Sequence, residues 1–357
     1  MIHAVIMAGG AGERFWPLSR TENPKQLLKL AGPKTMIELT ADRIKPLADG
    51  KRTWVVTTAR QATAIRRLLP AVPASNILRE PVGRNTAPAI ATAAYSIARR
   101  DKEAIMVVLP ADHVISPPGG FRKTIRAAAR RASRGSSLIT IGVEPDFAST
   151  GYGYIKRGKK ISAAGERPFY AVEKFIEKPS RARALRFIRS PLYSWNSGIF
   201  VWSAGAIIEA LEKHLPGVSK RLRPVLSLPL SKIPDFLRKT YPGLPSISID
   251  YGVMEKHGNV LVTTASFRWD DVGSWAALGK YLSRDPAGNR RRGKLVAHQA
   301  SGCTVFSTEP LIGLVGVSDL IVVATEDAVL VCSRERAQDV KKLVQSLRRN
   351  PRYRSYL

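Results

Sequence analysis

The chain begins with a short buried strand that leads directly into a glycine-rich loop. Residues 2–7 are apolar and partly β-branched, which is typical of a buried first strand. Gly9, Gly10 and Gly12 follow at once. Glycines in this position let the backbone approach a ligand closely and direct its N–H groups toward anionic oxygens. The loop therefore indicates an anion site at the end of the first strand, with an ordinary strand-to-helix turn as the alternative.

The basic residues after the glycines favour a polyphosphate ligand. Arg14 and Lys25 can supply the positive charge that a polyphosphate needs. The two common glycine-rich motifs fit badly. A Walker A loop needs Lys-Ser or Lys-Thr directly after its last glycine, and the dinucleotide-binding fingerprint needs a glycine where Phe15 stands. The loop thus predicts a phosphate site of another kind.

The first two-thirds of the chain alternate strand-like and helix-like segments. The pattern predicts strands at 53–58, 105–109, 138–143, 170–176, 198–202 and 260–265. It predicts helices near 35–47, 60–69, 87–100, 120–134, 204–214 and 274–282. This alternation predicts an α/β, Rossmann-like domain with a mostly parallel sheet and helices on both faces. Ligands of such sheets bind beyond the carboxyl ends of the strands, where both the glycine loop and residues 110–113 would lie.

The character of the chain changes at a linker-like stretch after Asp285. We therefore expect a catalytic domain at 1–284 and a small module at 285–357. Residues 294–333 are short apolar β segments, which predicts a compact β-solenoid or small β module. A closing amphipathic helix is predicted at 334–349. Its predicted apolar face consists of Ala337, Val340, Leu343, Val344 and Leu347.

The composition narrows the class of protein. A chain of 357 residues with 44% hydrophobic residues is long enough for one large domain and a smaller one. No apolar run approaches the roughly 20 residues that cross a bilayer, and the N-terminus lacks an export leader, so a cytoplasmic protein is expected. Cys303 and Cys332 have neither metal spacing nor a disulfide framework, which favours reduced thiols.

The formal net charge of +29 permits attraction to nucleic acid, anionic membranes or phosphorylated small molecules. Basic residues cluster at 122–134, 290–292 and 334–354. Aromatic residues are not interleaved with these clusters. We therefore interpret them as solvated faces and expect no specific nucleic-acid partner and no membrane partner.

Two carboxylates in distant segments are candidate metal ligands. Asp112 follows a predicted strand at 105–109, and Asp271 precedes a glycine in residues 269–275. Each alone could be a turn residue or a helix cap. Together they would supply the one or two protein oxygens that Mg²⁺ takes when phosphates and waters fill its other positions.

A polar loop at 79–91 leads into a predicted helix that is capped near Asn85 or Thr86. Such a loop beside the glycine loop could recognise a purine base. A simple capped helix explains the segment equally well.

Three further short segments have both a binding and a structural interpretation. Glu177 and Lys178 are adjacent, and form either part of a ligand site or a surface ion pair. Asn196 donates or accepts hydrogen bonds either with a sugar hydroxyl or within its own turn. Gly153, between two tyrosines, either contacts a sugar ring or marks a β-bulge.

The order and identity of these blocks resemble the mannose-1-phosphate guanylyltransferases of the sugar-phosphate nucleotidyltransferase superfamily. The blocks are AGGAGERFWPLSR, PKQ, EPVGRNTAPAIA, LPADH, GYGYI, FIEKP, WNSGIF, IDYGVMEK and WDDVGSW. The resemblance runs from residue 2 to about 282 and more loosely through 333, and FWPLSR with GRNTAPAIA favours the guanylyl branch. The chain is too short for the cupin-type isomerase domain of the bifunctional members, which implies a monofunctional form.

The resemblance implies a role for each candidate residue. The implied catalytic residues are Arg14, Lys25 and Lys178, which hold phosphates. The implied nucleotide-binding residues are Gly9, Gly10, Gly12, Gly83, Asn85 and Thr86. The implied sugar-binding residues are Gly153, Glu177, Asn196 and Asp250. The implied Mg²⁺ ligands are Asp112 and Asp271. The C-terminal module is implied to be a short left-handed β-helix of the kind that often contributes to a homodimer.

The resemblance also implies an activity, the formation of GDP-mannose and pyrophosphate from GTP and mannose 1-phosphate by in-line attack on the α-phosphorus. The attacking phosphate oxygen is already anionic, so no general base is required. The main cost is bringing two anions together, which Mg²⁺ and the basic residues offset. The alternatives are transfer to another sugar 1-phosphate such as a heptose, use of another nucleotide, and a non-catalytic sensor of nucleotide sugars.

Overall fold

The structure, a computed structural model, describes residues 1–162 and 165–357, and the chain divides into two units. Unit 1 consists of Met1–Gly9, Thr40–Ala111 and Ile115–Trp269. Unit 2 consists of Gly10–Leu39, Asp112–Val114 and Asp270–Leu357. Unit 2 therefore contains most of the glycine loop as well as the C-terminal segment. The expected domain boundary between residues 284 and 285 is a single point in the sequence, whereas each of these units combines several segments of the chain. The expected boundary therefore stays a prediction.

The strands of the chain are, in order, β1 Ile2–Ala8, β2 Thr53–Thr58, β3 Ile77–Glu80, β4 Ile105–Pro110, β5 Val114–Ser116, β6 Leu138–Val143, β7 Tyr154–Lys160, β8 Tyr170–Ile176, β9 Tyr193–Ser203, β10 Val260–Thr264, β11 Arg268–Asp270, β12 Ser283–Arg284, β13 Arg290–Arg292, β14 Leu295–His298, β15 Thr304–Ser307, β16 Ile312–Val315, β17 Leu320–Ala324 and β18 Val329–Ser333. The six strands predicted by periodicity are all present. Strand β9 begins five residues before its predicted start, because polar and small residues at its entry hide the apolar pattern.

The helices are α1 Met36–Ile44, α2 Ala62–Leu68, α3 Thr86–Ala98, α4 Pro118–Ala132, α5 Arg181–Ile188, α6 Ala204–His214, α7 Pro216–Leu222, α8 Ile233–Thr240, α9 Trp275–Leu278 and α10 Val340–Arg349. The six helices predicted up to residue 282 are present, although α9 is only one turn. Sequence periodicity missed α5, α7 and α8, which have seven or eight residues each and carry too short a pattern to be distinguished.

Unit 1 is built on a nine-stranded sheet in the order β3-β2-β1-β4-β9-β6-β10-β8-β7. Strands β3, β2, β1 and β4 are parallel, as are β6 and β10. Strand β9 runs antiparallel to both β4 and β6, and β8 is antiparallel to β10 and β7. The α/β class is confirmed, and β1, the strand that precedes the glycine loop in sequence, belongs to the parallel half of the sheet.

Helices cover both faces of this sheet. Successive residues of β1 point to opposite sides, so Ala4 joins one buried cluster and Val5 joins the other. The cluster around Val5 contains nine of the thirteen residues of the alanine-rich helix α3, and the cluster around Ala4 contains the apolar face of α4. Because β1, β3 and β4 are parallel, the chain leaves all three strands at one edge of the sheet, where ligands of such folds bind.

The C-terminal part of unit 2 is a stack of short parallel strands. β13 pairs with β15 and β15 with β17, and β14 pairs with β16 in a second sheet. In each of these pairs, a strand runs parallel to the strand two further along the chain, as strands of successive coils do in a solenoid. This arrangement confirms the expected β-solenoid-like module. A core inside the coils includes Cys303, Val305 and Leu314.

The closing helix is shorter than predicted. Residues Arg334–Asp339 form a 3₁₀ helix, and α10 begins only at Val340. Val340 and Val344 are buried, whereas Leu343 is 40% exposed, so the predicted apolar face was wrong at that position. Among the described residues, no helix is both long and apolar enough to cross a bilayer.

Candidate active site

The glycine loop has its backbone set by contacts within unit 2. Gly12 has φ +63°, and an added Cβ would lie 2.7 Å from the backbone nitrogen of Lys25, so only glycine fits there. The Gln26 side chain donates to the carbonyl of Gly10 at 3.0 Å, and the Ser19 hydroxyl donates to the carbonyl of Gly12 at 2.8 Å. Two carbonyls of the loop are therefore held in fixed directions before any ligand binds.

Lys25 lines a cavity of about 410 Å³ in unit 2, a volume in the range of small-ligand sites. The side chain is only 7% exposed, and its ammonium lies 2.8 Å from Oδ2 of Asp112. The same ammonium donates to the backbone carbonyl of Asp271. One lysine therefore holds both of the segments that carry the predicted metal ligands. The charged residues that line the cavity are Glu13, Arg14, Lys25, Asp112, Asp271 and Lys341, together with His113.

The carboxyl of Asp112 is an anion at neutral pH. Burial by itself would raise its pKa, but the charges of Lys25 and His113 and the hydrogen bond from Lys25 outweigh burial and hold the pKa below its usual range. The side chain remains 33% exposed. Asp112 can therefore offer a charged oxygen to a cation in the cavity.

The turn at Asp271 is strained, and its two adjacent aspartates have different partners. Val272 is fully buried with φ +44°, a rare conformation for a β-branched residue and a common mark of functional sites. Its N–H donates to Asp270 at 2.8 Å, and the Tyr281 hydroxyl donates to the same carboxylate at 3.2 Å. Asp270 is therefore used to shape the turn, while Asp271 lines the cavity.

Asp112 and Asp271 form a donor set that suits Mg²⁺. Among residues 1–162 and 165–357, no group of three or more His, Cys, Asp or Glu side chains could enclose a metal. An ion in this cavity would thus take few protein ligands and complete its shell from other oxygens. Mg²⁺ is usually bound in this way, by one or two carboxylates plus substrate phosphates and waters. The metal role of these two residues stays a prediction that the chemistry of the donors supports.

Arg14 belongs to a 3₁₀ helix, Glu13–Phe15, that also lines the cavity. Its guanidinium donates to the carbonyl of Gly273 at 3.3 Å. The next residue, Phe15, is buried against Trp275 with ring centroids 5.2 Å apart. The aromatic residue after Arg14 thus anchors the loop in the core of unit 2, and Arg14 remains at the cavity wall.

Unit 1 brings the predicted sugar-binding residues together. The N–H of Asn196 donates to the carbonyl of Gly153 at 2.8 Å, and its side-chain amide donates to Oδ1 of Asp250 at 2.7 Å. The hydroxyl of Thr140 donates to the amide oxygen of Asn196 at 3.2 Å. Asp250 opens a single π-helical turn, Asp250–Met254, a feature that is frequent at functional sites. Gly153, Asn196 and Asp250 therefore form one polar group.

Glu177 and Lys178 lie beside this group. An added Cβ at Gly153 would be 2.6 Å from Oε2 of Glu177, so this carboxylate packs on the glycine. Oε1 of Glu177 is 2.7 Å from the ammonium of Lys178, whose backbone has φ +43°. Burial raises the pKa of Asp250, the hydrogen bond from Asn196 lowers it, and the charge of Glu177 raises it further, with a net increase. The arrangement offers carboxylate acceptors for hydroxyl donors, and one ammonium for an anion.

Two residues of the predicted base-binding segment make hydrogen bonds that stabilise the fold. Oδ1 of Asn85 accepts from the N–H of Thr86 at 2.8 Å and caps α3, while the Thr86 hydroxyl accepts from the N–H of Ile249 at 2.8 Å. Gly83 is exposed, and neither Gly10 nor Gly83 has an atom within 4 Å of an added Cβ. The nucleotide contacts of these residues stay predictions, and those of Asn85 and Thr86 would need their remaining polar atoms.

Sequence reasoning missed Glu80, a buried acid at the end of β3. The hydroxyl of Tyr241 donates to its Oε1 at 2.7 Å, and an added Cβ at Gly9 would lie 2.9 Å from its Oε2. Burial raises the pKa of Glu80 to about 7, and the hydrogen bond from Tyr241 opposes that rise. The available signal was a glutamate at the end of a short strand-like segment, directly before Pro81.

The raised pKa of Glu80 predicts that the stability of the protein depends on pH, and that Glu80→Gln removes this contribution. The folded protein holds the Glu80 proton up to about pH 7, whereas the unfolded chain releases it near pH 4.5. Between these values the folded state binds more protons, so the free energy of unfolding of the wild type falls as pH rises. The difference in free energy of unfolding between Glu80→Gln and wild type should grow by roughly 3 kcal/mol in favour of the variant between pH 4.5 and pH 7. Above pH 7 this difference should stay constant.

Urea denaturation of both proteins across this pH range measures the difference. The exposed Glu103→Gln is the matched control, and should track the wild type at every pH. A constant difference between wild type and Glu80→Gln would contradict the assignment of the raised pKa.

Comparison with known protein families gives two matches. Residues 3–286 match the nucleotidyl transferase family, and residues 293–347 match the MannoseP isomerase/GMP-like β-helix domain. Together the two matches cover most of the chain.

Curated relatives match nearly the whole chain, among them the following two. A mannose-1-phosphate guanylyltransferase of Escherichia coli is 39% identical over 361 residues, which cover 99% of this chain and 75% of that protein. The mannose-1-phosphate guanylyltransferase ManC of Salmonella typhimurium is 37% identical over 367 residues, covering 100% of this chain and 75% of that protein.

A solved structure agrees with these relatives. The crystal structure described as mannose-1-phosphate geranyltransferase from Thermus thermophilus is 36% identical, with a TM-score of 0.87. The match covers 97% of this chain and 99% of that one.

Proposed function

We propose a function from the premise that this chain belongs to the nucleotidyl transferases, and among them to the mannose-1-phosphate guanylyltransferases. The chain forms GDP-mannose and pyrophosphate from GTP and mannose 1-phosphate. The observation that carries this proposal is the contact of the Lys25 ammonium with both Asp112 and the carbonyl of Asp271, in a cavity that Arg14 also lines.

The residues of unit 2 act on the triphosphate. The backbone of the glycine loop approaches the phosphates, and Arg14 and Lys25 stabilise the negative charge that develops as pyrophosphate leaves. Lys25 is buried and held by two oxygens, so its charge is oriented before the substrate binds. Catalysis then comes mainly from positioning and from fixed positive charge.

Asp112 and Asp271 would hold a Mg²⁺ ion. When bound, the ion neutralises phosphate charge and acts as a Lewis acid on the phosphoryl oxygens. The family generally uses a divalent metal, and the Asp112 carboxylate is charged at neutral pH, so it can offer an oxygen to such an ion.

The polar group of unit 1 would bind the hexose and its phosphate. The carboxylates of Asp250 and Glu177 can accept hydrogen bonds from sugar hydroxyls, the amide of Asn196 can donate or accept them, and Lys178 can pair with the phosphate. The phosphate oxygen that attacks is already anionic and needs no base. Gly83, Asn85 and Thr86 would contact the base and ribose, which the exposure of Gly83 allows.

Pyrophosphate release with each nucleoside triphosphate, tested against several sugar 1-phosphates, examines the proposal. We expect the highest kcat/KM with GTP and mannose 1-phosphate, and no turnover without a divalent metal. Preference for a heptose 1-phosphate or another nucleotide would replace the substrate and keep the mechanism. Binding of GDP-mannose without any turnover would instead make the protein a sensor.

We also propose that the protein forms a homodimer. We further propose that it resides in a reducing compartment, the cytoplasm. Support for the dimer comes from apolar side chains around β14 and β16 that remain 61–71% exposed, which are Val296, Leu311 and Val315. Support for the compartment comes from the two cysteines, which are both free thiols.

A further inference from the structure

Helix α10 packs against the glycine-loop segment of unit 2. Val340 and Val344 are each 3% exposed and belong to the same buried cluster as Phe15 and Trp16. Those two aromatic residues directly follow Arg14 in sequence. The apolar face of α10 therefore packs under the loop that lines the cavity around Lys25, which is called the phosphate cavity below.

Polar contacts fix the position of the C-terminal segment along this loop. The guanidinium of Arg348 lies 2.8 Å from a carboxylate oxygen of Glu13. The indole N–H of Trp16 donates to the carbonyl of Tyr356 at 2.7 Å, and the guanidinium of Arg20 donates to the same carbonyl. The segment is thus attached to the loop through residues on both sides of the helix end.

These attachments direct Lys341 to the phosphate cavity. Lys341 and Arg348 are seven residues apart, so they lie on the same side of α10, about 10 Å apart along its axis. Arg348 contacts the loop at Glu13, and Lys341 lines the cavity together with Arg14 and Lys25. Within the described ranges, none of the ion pairs involves Lys341. The neighbouring Lys342 differs, because it pairs with Asp339 at 2.8 Å.

The charges around the cavity give Lys341 a specific task. Three carboxylates line it, those of Glu13, Asp112 and Asp271. Without the C-terminal helix, only Arg14 and Lys25 would oppose these three carboxylates, and the lining would be net negative toward a polyanion. Arg348 neutralises Glu13, and Lys341 adds a third cation. The C-terminal helix therefore turns an acidic lining into one that a nucleoside triphosphate can enter.

We propose that Lys341 binds a phosphate oxygen of the nucleoside triphosphate, and that Arg348 is a positioning residue that holds Lys341 and Glu13 in place. The inference deepens the proposed function and rests on it, because it assigns a further residue to the triphosphate site. It makes the C-terminal helix part of the nucleotide-binding machinery rather than a structural end of the chain.

Equilibrium binding of GTP with Mg²⁺, measured by calorimetry on the full chain, tests Lys341→Ala against wild type. We expect the Kd for GTP to rise about 10-fold, the scale of one lost charge-assisted contact. Because a partly exposed charge is screened by salt, the difference between the two proteins should shrink between low and high ionic strength. Lys341→Arg, which keeps the charge, should restore most of the affinity.

Lys342→Ala is the matched control, with the same change of charge one residue away, and should bind GTP as wild type does. Equal affinity of Lys341→Ala and wild type would overturn the proposal, and so would equal losses in Lys341→Ala and Lys342→Ala. A wild type that binds GTP but releases no pyrophosphate would contradict the proposed function, while the comparison of GTP affinities would still decide the role of Lys341.

Discussion

Lys25→Ala should lower kcat for pyrophosphate release by roughly 10²–10³-fold, the cost of removing one preorganised charge donor from an active site. The effect is expected to be large because Lys25 is buried, contacts the Asp112 carboxylate at 2.8 Å and also holds the Asp271 carbonyl. Its loss removes positive charge and releases the two segments that carry the proposed metal ligands. Steady-state kinetics with GTP and mannose 1-phosphate measure the loss.

Lys29→Ala controls for the loss of a lysine four residues away, since that side chain is exposed. It should leave kcat close to that of wild type. Circular dichroism should show that Lys25→Ala remains folded, because the carboxylate left behind is partly exposed and can be solvated. Near wild-type turnover in the folded variant would remove Lys25 from the mechanism.

Asp271→Asn should reduce turnover at least about 10²-fold by removing a charged metal ligand while keeping the shape of the side chain. The neighbouring Asp270 accepts from Val272 and Tyr281, so it should not replace Asp271 at the cavity. A readout independent of activity is binding of Mn²⁺ in the presence of GTP, followed by electron paramagnetic resonance. We expect weaker binding of Mn²⁺ by the variant.

The matched control for this charge change is Asp235→Asn, an exposed aspartate on α8 in unit 1. It should bind Mn²⁺ and turn over as wild type does. Wild-type affinity for Mn²⁺ in Asp271→Asn would reject Asp271 as a metal ligand, whatever the activity of that variant.

Part of the candidate site was predictable from local sequence. Glycines directly after a strand require a tight turn with an exposed backbone, and Gly12 indeed has a positive φ against Lys25. A carboxylate that directly follows a strand, such as Asp112, is expected at a ligand site, because parallel sheets bind ligands beyond the carboxyl ends of their strands. The family resemblance added the roles, which depend on chemistry that periodicity alone does not contain.

Other features of the candidate site could not be predicted from the sequence, because they depend on contacts between distant residues. Asp270 and Asp271 are equivalent in sequence, and only the hydrogen bonds of the turn separate a structural aspartate from one at the cavity. Glu80 was overlooked because its burial depends on Tyr241, 161 positions away. Lys341 looked like one more residue of a basic tail until the packing of α10 was known.

The sequence by itself determined the α/β class, the glycine loop and the change to short β segments after residue 285, because period, glycine content and turn residues act over a few neighbouring positions. Only the tertiary structure decided which charges meet, since Lys25 contacts residues 87 and 246 positions further along the chain. Such contacts depend on how strands and helices pack over the whole chain. Local propensity carries no information about them, and the electrostatics of the site arises from them.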